Sequence, residues 1–153
     1  MLLSKTSEHA LRGLIYLAGQ APGKPSLSRD IAEHLGASVQ YVTGILRRLA
    51  KRGVLISVKG KGGGFALRPG AENMNILDMV EIVDGHQVMP HCVFSLKKCA
   101  KEMGCPIHCQ WHQLKNQEME ILRTQTIGSV ARLCSMDILS RDPIGNGQQT
   151  AAL

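Results

Sequence analysis

Apolar residues recur at helical spacing near the start of the chain, where Ala10, Leu11, Leu14, Ile15, Leu17 and Ala18 form one stripe between positions 6 and 20. That spacing predicts an amphipathic helix with Thr6 or Ser7 as its N-cap and Glu8 favourably placed in the first turn. Pro22-Gly23-Lys24-Pro25 then breaks the pattern. Two shorter periodic runs follow. The first starts at Ser28, which is placed to cap it, turns Ile31, Ala32 and Leu35 inward, and stops at Gly36. The second takes Ser38 as N-cap, turns Val39, Val42, Ile45, Leu46 and Leu49 inward, and closes at Gly53. Two helices joined by a tight Gly-containing turn, the second with a polar and basic outer face, predict a helix-turn-helix.

The period then changes from helical to strand-like. Val54–Val58 carries three β-branched residues, Lys59-Gly60-Lys61-Gly62-Gly63-Gly64 reads as a turn, and Phe65-Ala66-Leu67 returns as a partner strand. This hairpin has the form of a wing. Pro69-Gly70 ends it, and Asn75 caps a further helix with Ile76, Leu77, Val80, Ile82 and Val83 inward, stopping at Gly85. Periodicity is lost from Gln87 to His108, which predicts a loop. It resumes from about Trp111 to Leu133, with Trp111, Leu114, Ile121, Leu122 and Ile127 near helical spacing. That composition suits packing on a twin helix as well as on its own domain. The expected fold is mainly α with a small β-hairpin wing, a winged helix-turn-helix followed by a long dimerisation helix. Residues 1–85 form the DNA-binding domain, 86–110 a cysteine-rich loop, 111–139 the dimerisation helix and 140–153 a polar, disordered tail.

Charge sharpens this picture. The net charge is +6, but residues 1–70 alone hold 11 Lys/Arg against 3 Asp/Glu, while the remainder is slightly acidic. Seven cations and no carboxylate lie between Arg47 and Arg68. A run of this kind is either a solvated face or a phosphate-binding surface, and the helix pair beside it favours the second. No signal peptide or membrane-length apolar stretch is visible in the sequence, which points to a cytoplasmic protein. In a reducing cytoplasm, five cysteines argue for metal or redox chemistry rather than disulfides.

Base reading needs short polar side chains at the N-terminal end of the second helix. Ser38, Gln40, Tyr41 and Thr43 stand there: Gln40 suits adenine, and Tyr41 suits a phosphate or a thymine methyl. Arg47, Arg48, Lys51 and Arg52 continue along the phosphate backbone, and Lys59 and Lys61 charge the wing tip. With Ser28 at the start of the first helix of the pair, the expected DNA contacts are Ser28, Ser38, Gln40, Tyr41, Thr43, Arg47, Lys59 and Lys61. The glycine-rich tip lacks the Lys-Ser/Thr of a P-loop. Aromatics make up only 3% of the chain, too few for a single-strand stacking platform, so duplex DNA is the expected partner.

Cys92, Cys99 and Cys105 are separated by six and five residues, with Lys97, Lys98 and Lys101 between them to favour thiolates. Paired Cys-x2-Cys knuckles, usual for structural zinc, are absent from the sequence. Three spread thiolates suit an iron–sulfur cluster better than one zinc ion or free thiols. His108, Cys109 and Glu8 from a partner subunit are the candidates for a fourth ligand. Their plainer roles are core packing or helix capping for the first two and a helix-dipole charge for Glu8. Cys134 reads as a small buried hydrophobe, and His9, His34, His86, His91 and His112 as structural.

The opening Met1-Leu2-Leu3-Ser4 with Ala10-Leu11-Arg12, the Gly36–Tyr41 turn, the Val58–Phe65 wing and the Cys92/Cys99/Cys105 loop together resemble the Rrf2 family of winged helix-turn-helix regulators, with its IscR, NsrR and RirA types. The resemblance runs from about Met1 to Leu133. It implies a homodimer on a palindromic promoter site, joined through the long helices, with Cys92, Cys99 and Cys105 ligating a 2Fe–2S or 4Fe–4S cluster. One branch of that family has a histidine where His108 stands, and another an acidic residue where Glu8 stands, donated across the dimer. This sequence carries both, plus Cys109, and some members of the family work without a cluster.

The expected function is an iron–sulfur-dependent, sequence-specific transcriptional regulator, a repressor that senses cluster status, iron, nitric oxide or redox state. A cluster-free thiol- or zinc-dependent regulator is the alternative. A thiol oxidoreductase would want a Cys-x2-Cys pair or a positioned base, and only the adjacent His91-Cys92 hints at one, so no enzymatic activity is expected.

Overall fold

The computed structural model describes residues 3–85 and 107–134. The first helix, α1, spans Lys5–Ala18. Its cap is Ser4, whose hydroxyl accepts from the Ser7 amide at 3.0 Å, rather than the expected Thr6 or Ser7. Ser7 is drawn inward instead. It is fully buried, and its hydroxyl donates to Asp84 at 2.7 Å. Ala10, Leu14 and Leu17 supply the buried stripe.

The helix pair is α2 (Ser28–Leu35) and α3 (Val39–Lys51), joined through Gly36. Ser28 does not cap α2: Leu27 occupies the cap position without a side-chain bond. The cause lies upstream, where the backbone of Ser26 pairs with Phe65 in both directions at 2.9 Å and holds the chain extended up to Leu27. Ser38 caps α3 as expected, and Val42, Ile45, Leu46 and Leu49 are buried. Val39, expected inward, is 41% exposed. Helical side chains lean toward the N-terminus, so one at the first position projects past the end of the core.

Strands β1 (Leu55–Val58) and β2 (Gly64–Leu67) form an antiparallel hairpin in which Leu55 faces Leu67 and Val58 faces Gly64. A short 3-10 turn at Ala71–Asn73 leads to α4 (Ile76–Asp84), capped by Asn75 through the Asp78 amide at 2.8 Å. Met79, absent from the expected inward set, is fully buried, while Ile82 is only partly so. Because α4 packs against α1, α3 and α5 together, its apolar face is wider than a one-sided stripe.

The expected continuous helix from Trp111 to Leu133 is two helices, α5 (His108–Thr124) and α6 (Ile127–Leu133). Thr126 and Ser129 form a reciprocal capping box at the break. Backbone bonds from Ile76 to Gln125 and from Ile127 to Met74, both 3.0 Å, pin that break against the start of α4. Helix α6 then lies on α1 and the 3-10 turn, with Ile127 in the core. Leu122 of α5 is also buried there, whereas Ile107, Leu114 and Ile121 are 37%, 55% and 61% exposed. The Gln87–His108 loop and the 140–153 tail fall outside the described residues, apart from Ile107 and the backbone of His108.

Candidate nucleic-acid interface

The burial of Val42, Ile45, Leu46 and Leu49 turns the opposite side of α3 outward as a stripe of Gln40, Gly44, Arg47 and Lys51. Thr43 flanks this stripe and is half-buried. Tyr41 is 38% exposed. Its hydroxyl donates to Thr6 at 3.3 Å and the ring stands edge-on to His9, 5.5 Å between centroids. The tyrosine expected to reach DNA therefore also ties α3 to α1. Ser38 spends its hydroxyl on the Tyr41 amide at 3.4 Å as the helix cap, which leaves its outer lone pair for an incoming donor.

Gly44 is the residue that the sequence reading missed. A Cβ placed there would meet nothing within 4 Å, so nothing inside the protein requires glycine. A glycine inside a helix costs about 1 kcal/mol relative to alanine, and that cost is itself a signal visible in the sequence. It marks a point where another surface can approach the helix backbone closely.

The basic residues divide. Arg47, Lys51 and Arg52 are exposed and make no ion pair among the described residues. Arg48, expected along the DNA backbone, turns aside to donate to the Val83 carbonyl at 3.3 Å and braces α3 on the end of α4. At the start of α2, Ser28 and Arg29 follow a helix end without a side-chain cap, so their amide donors are open to an anion.

Lys59 and Lys61 are exposed at the wing tip, also without ion pairs among the described residues. The glycines beside them have work inside the fold. A Cβ on Gly63 would stand 2.3 Å from the Val58 carbonyl oxygen, and one on Gly64 would stand 2.1 Å from that of Ser26. Side chains there would break the hairpin and its bridge to Ser26. The wing is thus held rigidly at its base while its tip presents two lysines.

Cys92, Cys99 and Cys105 lie outside the described residues, and of His108 only the backbone at the start of α5 is described. Among the described residues no group of three His, Cys, Asp or Glu could hold a metal. Cys109 is exposed in the first turn of α5. Cys134, expected buried, is half-buried at the C-terminal end of α6. Glu8 balances two cations of its own chain, Lys5 at 3.0 Å and Arg12 at 4.0 Å. His34 packs on Tyr16 at 4.7 Å. Burial, and then the nearby Arg12 charge, hold its imidazole below the ordinary histidine range. No described helix is long and apolar enough to cross a membrane.

Comparison with known proteins agrees with this geometry. The profile of the Rrf2 family, described as an iron-dependent transcriptional regulator, matches residues 3–133. A protein of Aquifex aeolicus named as an HTH-type transcriptional regulator is 30% identical over 136 residues, covering 83% of this chain and 89% of that one. The regulator IscR of Photobacterium profundum is 27% identical over 132 residues, covering 86% and 76%. Among solved structures, CymR, the global cysteine regulator of B. subtilis, superposes with a TM-score of 0.70 at 19% identity, covering 87% of this chain and 98% of that one. The IscR of T. potens gives 0.64 at 21% identity, covering 85% of each. At such identities these two structures speak for the fold.

Proposed function

This chain belongs to the Rrf2 family of helix-turn-helix transcriptional regulators, and from that premise we propose that it acts in the cytoplasm as a homodimeric repressor on palindromic double-stranded DNA, its affinity governed by an iron–sulfur cluster. The observation that carries the DNA reading is the outward stripe of α3. There Gln40, with Thr43 beside it, suits base edges, Arg47 and Lys51 suit phosphates, and Gly44 leaves room for close approach. Ser28 and the free amides of α2 suit the phosphate on one side, and Lys59 and Lys61 of the wing suit it on another. Ser38 and Tyr41 hold the start of α3 and reach the same strand.

Ile107, Leu114 and Ile121 are exposed and spaced by seven residues. That is the period of a helix seam, and a second copy of α5 covers it best. A dimer built so sets its two α3 helices about one DNA turn apart, roughly 34–36 Å, to reach successive major grooves.

Cys92, Cys99 and Cys105 with His108 make a donor set of three thiols and an imidazole, which fits iron–sulfur ligation. Bound there, the cluster supplies a redox-active group whose type, 2Fe–2S or 4Fe–4S, these donors serve equally. We take His108 as the fourth ligand because Glu8 is already committed to Lys5 and the largely buried Arg12.

One preparation tests both halves. Binding to the duplex upstream of its own coding sequence, measured by anisotropy against a scrambled duplex, should be specific and fall steeply with salt. The same sample, purified anaerobically, should show visible charge-transfer bands with matching iron and acid-labile sulfide, lost in Cys99→Ala. Specific binding by a colourless, iron-free protein would move the cysteines to a thiol or zinc switch. Absence of specific binding in every form would overturn the regulator's proposed mode of action.

A further inference from the structure

A cleft of about 400 Å³ lies between the C-terminal end of α1, the turn that follows it, the base of the wing and α6. Its size falls in the range of small-molecule sites. Leu17, Leu67, Pro69 and Ala131 give it an apolar floor. Three cations from three separate elements stand around it: Lys24 from the turn, Arg68 from the wing base and Arg132 from α6. None of them makes an ion pair among the described residues.

Two negative features share the cleft, and neither balances that charge. The carboxylate of Glu72 is turned to the Gly70 amide at 2.9 Å. The carbonyl end of α1 contributes about half an elementary charge. The cleft therefore keeps a net positive potential above an apolar floor. Its walls are fixed by close backbone packing, since a Cβ on Gly128 would stand 3.0 Å from the Glu72 carbonyl oxygen. A merely solvated basic face would need neither an apolar floor nor charges gathered around it from three elements.

We infer that this cleft binds a small organic anion, a carboxylate on a short aliphatic body, with Arg68 and Arg132 on the charged end and Leu17, Leu67 and Ala131 on the carbons. None of the residues lining the site is among the proposed DNA contacts. Because Arg68 and Pro69 continue directly from β2, its occupant touches the base of the wing.

Hexanoate is the probe, titrated into the isotope-labelled full chain while backbone amide resonances are followed. Saturable shifts are expected at Ala18, Leu67, Gly128 and Ala131. The neutral isostere hexanamide should bind more than about tenfold more weakly, because it lacks the charge-assisted bonds, and inorganic phosphate, lacking the carbon chain, should also be weaker. The double variant Arg68→Gln/Arg132→Gln should lose the hexanoate shifts. Ala131→Leu, which fills the floor and leaves every charge, should lose them as well, whereas Lys59→Gln at the wing tip should keep them. Amide spectra of each variant without ligand report whether it folds. Non-saturating shifts, equal binding of hexanamide or phosphate, or full binding by a folded double variant would each overturn the assignment.

Discussion

Replacing Gly44 by alanine separates what the fold wants from what DNA wants. In the free protein the new methyl meets nothing within 4 Å, so the helix gains propensity at no steric cost. The gain is about 1 kcal/mol, which for a chain of this size raises the thermal midpoint by about 2–4 °C. On DNA the same methyl stands between Gln40 and Arg47, on the stripe proposed to enter the groove. An added methyl in a close-packed contact costs about 1–3 kcal/mol, or roughly fivefold to a hundredfold in affinity.

The variant should therefore be more stable and bind more weakly, a pairing that general damage to the fold cannot produce. Thermal or urea unfolding gives the first quantity, and anisotropy against the wild-type site at fixed salt gives the second. Higher stability with unchanged affinity would refute the close approach at Gly44. Lower stability would refute the claim that nothing inside the protein needs the glycine.

Alanine at Gly64 should cost roughly 2 kcal/mol or more, because its Cβ would collide with the Ser26 carbonyl; fast hydrogen exchange at the Phe65 amide would report the broken bridge, and retained protection would contradict it. Changing both Lys59 and Lys61 to glutamine should flatten the log affinity against log salt slope by up to about one unit per lysine, whereas an unchanged slope would remove the wing tip from the phosphate contacts. Ser7→Ala deletes the buried donor to Asp84 and should destabilise by about 1–2 kcal/mol in urea, with no change pointing to full replacement by water. His34 is held below its ordinary 6.5 by burial and by Arg12, so as pH falls below 6.5 the unfolded chain takes up the proton first and the fold loses stability until the folded imidazole also titrates. The stability advantage of wild type over His34→Gln should shrink as pH falls below about 7, and a constant difference would contradict the half-buried neutral ring.

The sequence made the helix pair and the wing legible because each is announced locally, by Ser38 and Asn75 as caps, by Gly36 as a stop and by β-branched residues leading into a glycine-rich turn in the hairpin. What escaped was decided by distant partners. Ser7 looked like a cap, but Asp84, far along the chain, claims its hydroxyl. Ser28 looked like a cap, but pairing of Ser26 with Phe65 sets where the chain leaves its extended course. The split of the last helical stretch was visible in Thr126 and Ser129, although serine in place of Glu or Gln at the third position makes a weaker signature. In the candidate interface, residue types were legible and side-chain commitments were not: nothing local tells Arg48, which braces α4, from Arg47, which faces outward.

Those commitments define what the proposed signal from the cysteine segment has to work against. The segment departs after Gly85, and Asp84, just before it, holds the Ser4 and Ser7 hydroxyls at 2.8 and 2.7 Å. One residue earlier, Val83 accepts from Arg48 on α3. The first turns of α1 meet α3 again through Thr6 and His9 on Tyr41. Arg48 and Tyr41 lie toward opposite ends of α3, so the end of α4 is braced to the proposed reading helix at two points. Each such bond contributes about 0.5–1.5 kcal/mol, and more where a carboxylate accepts. Releasing all of them costs a few kcal/mol. That is within the roughly 5.5 kcal/mol of differential binding that turns a two-state equilibrium from one side to the other. A displacement of the α4 end would therefore reach both the proposed base-reading and the proposed phosphate-facing parts of α3, through Tyr41 at one end and Arg48 at the other.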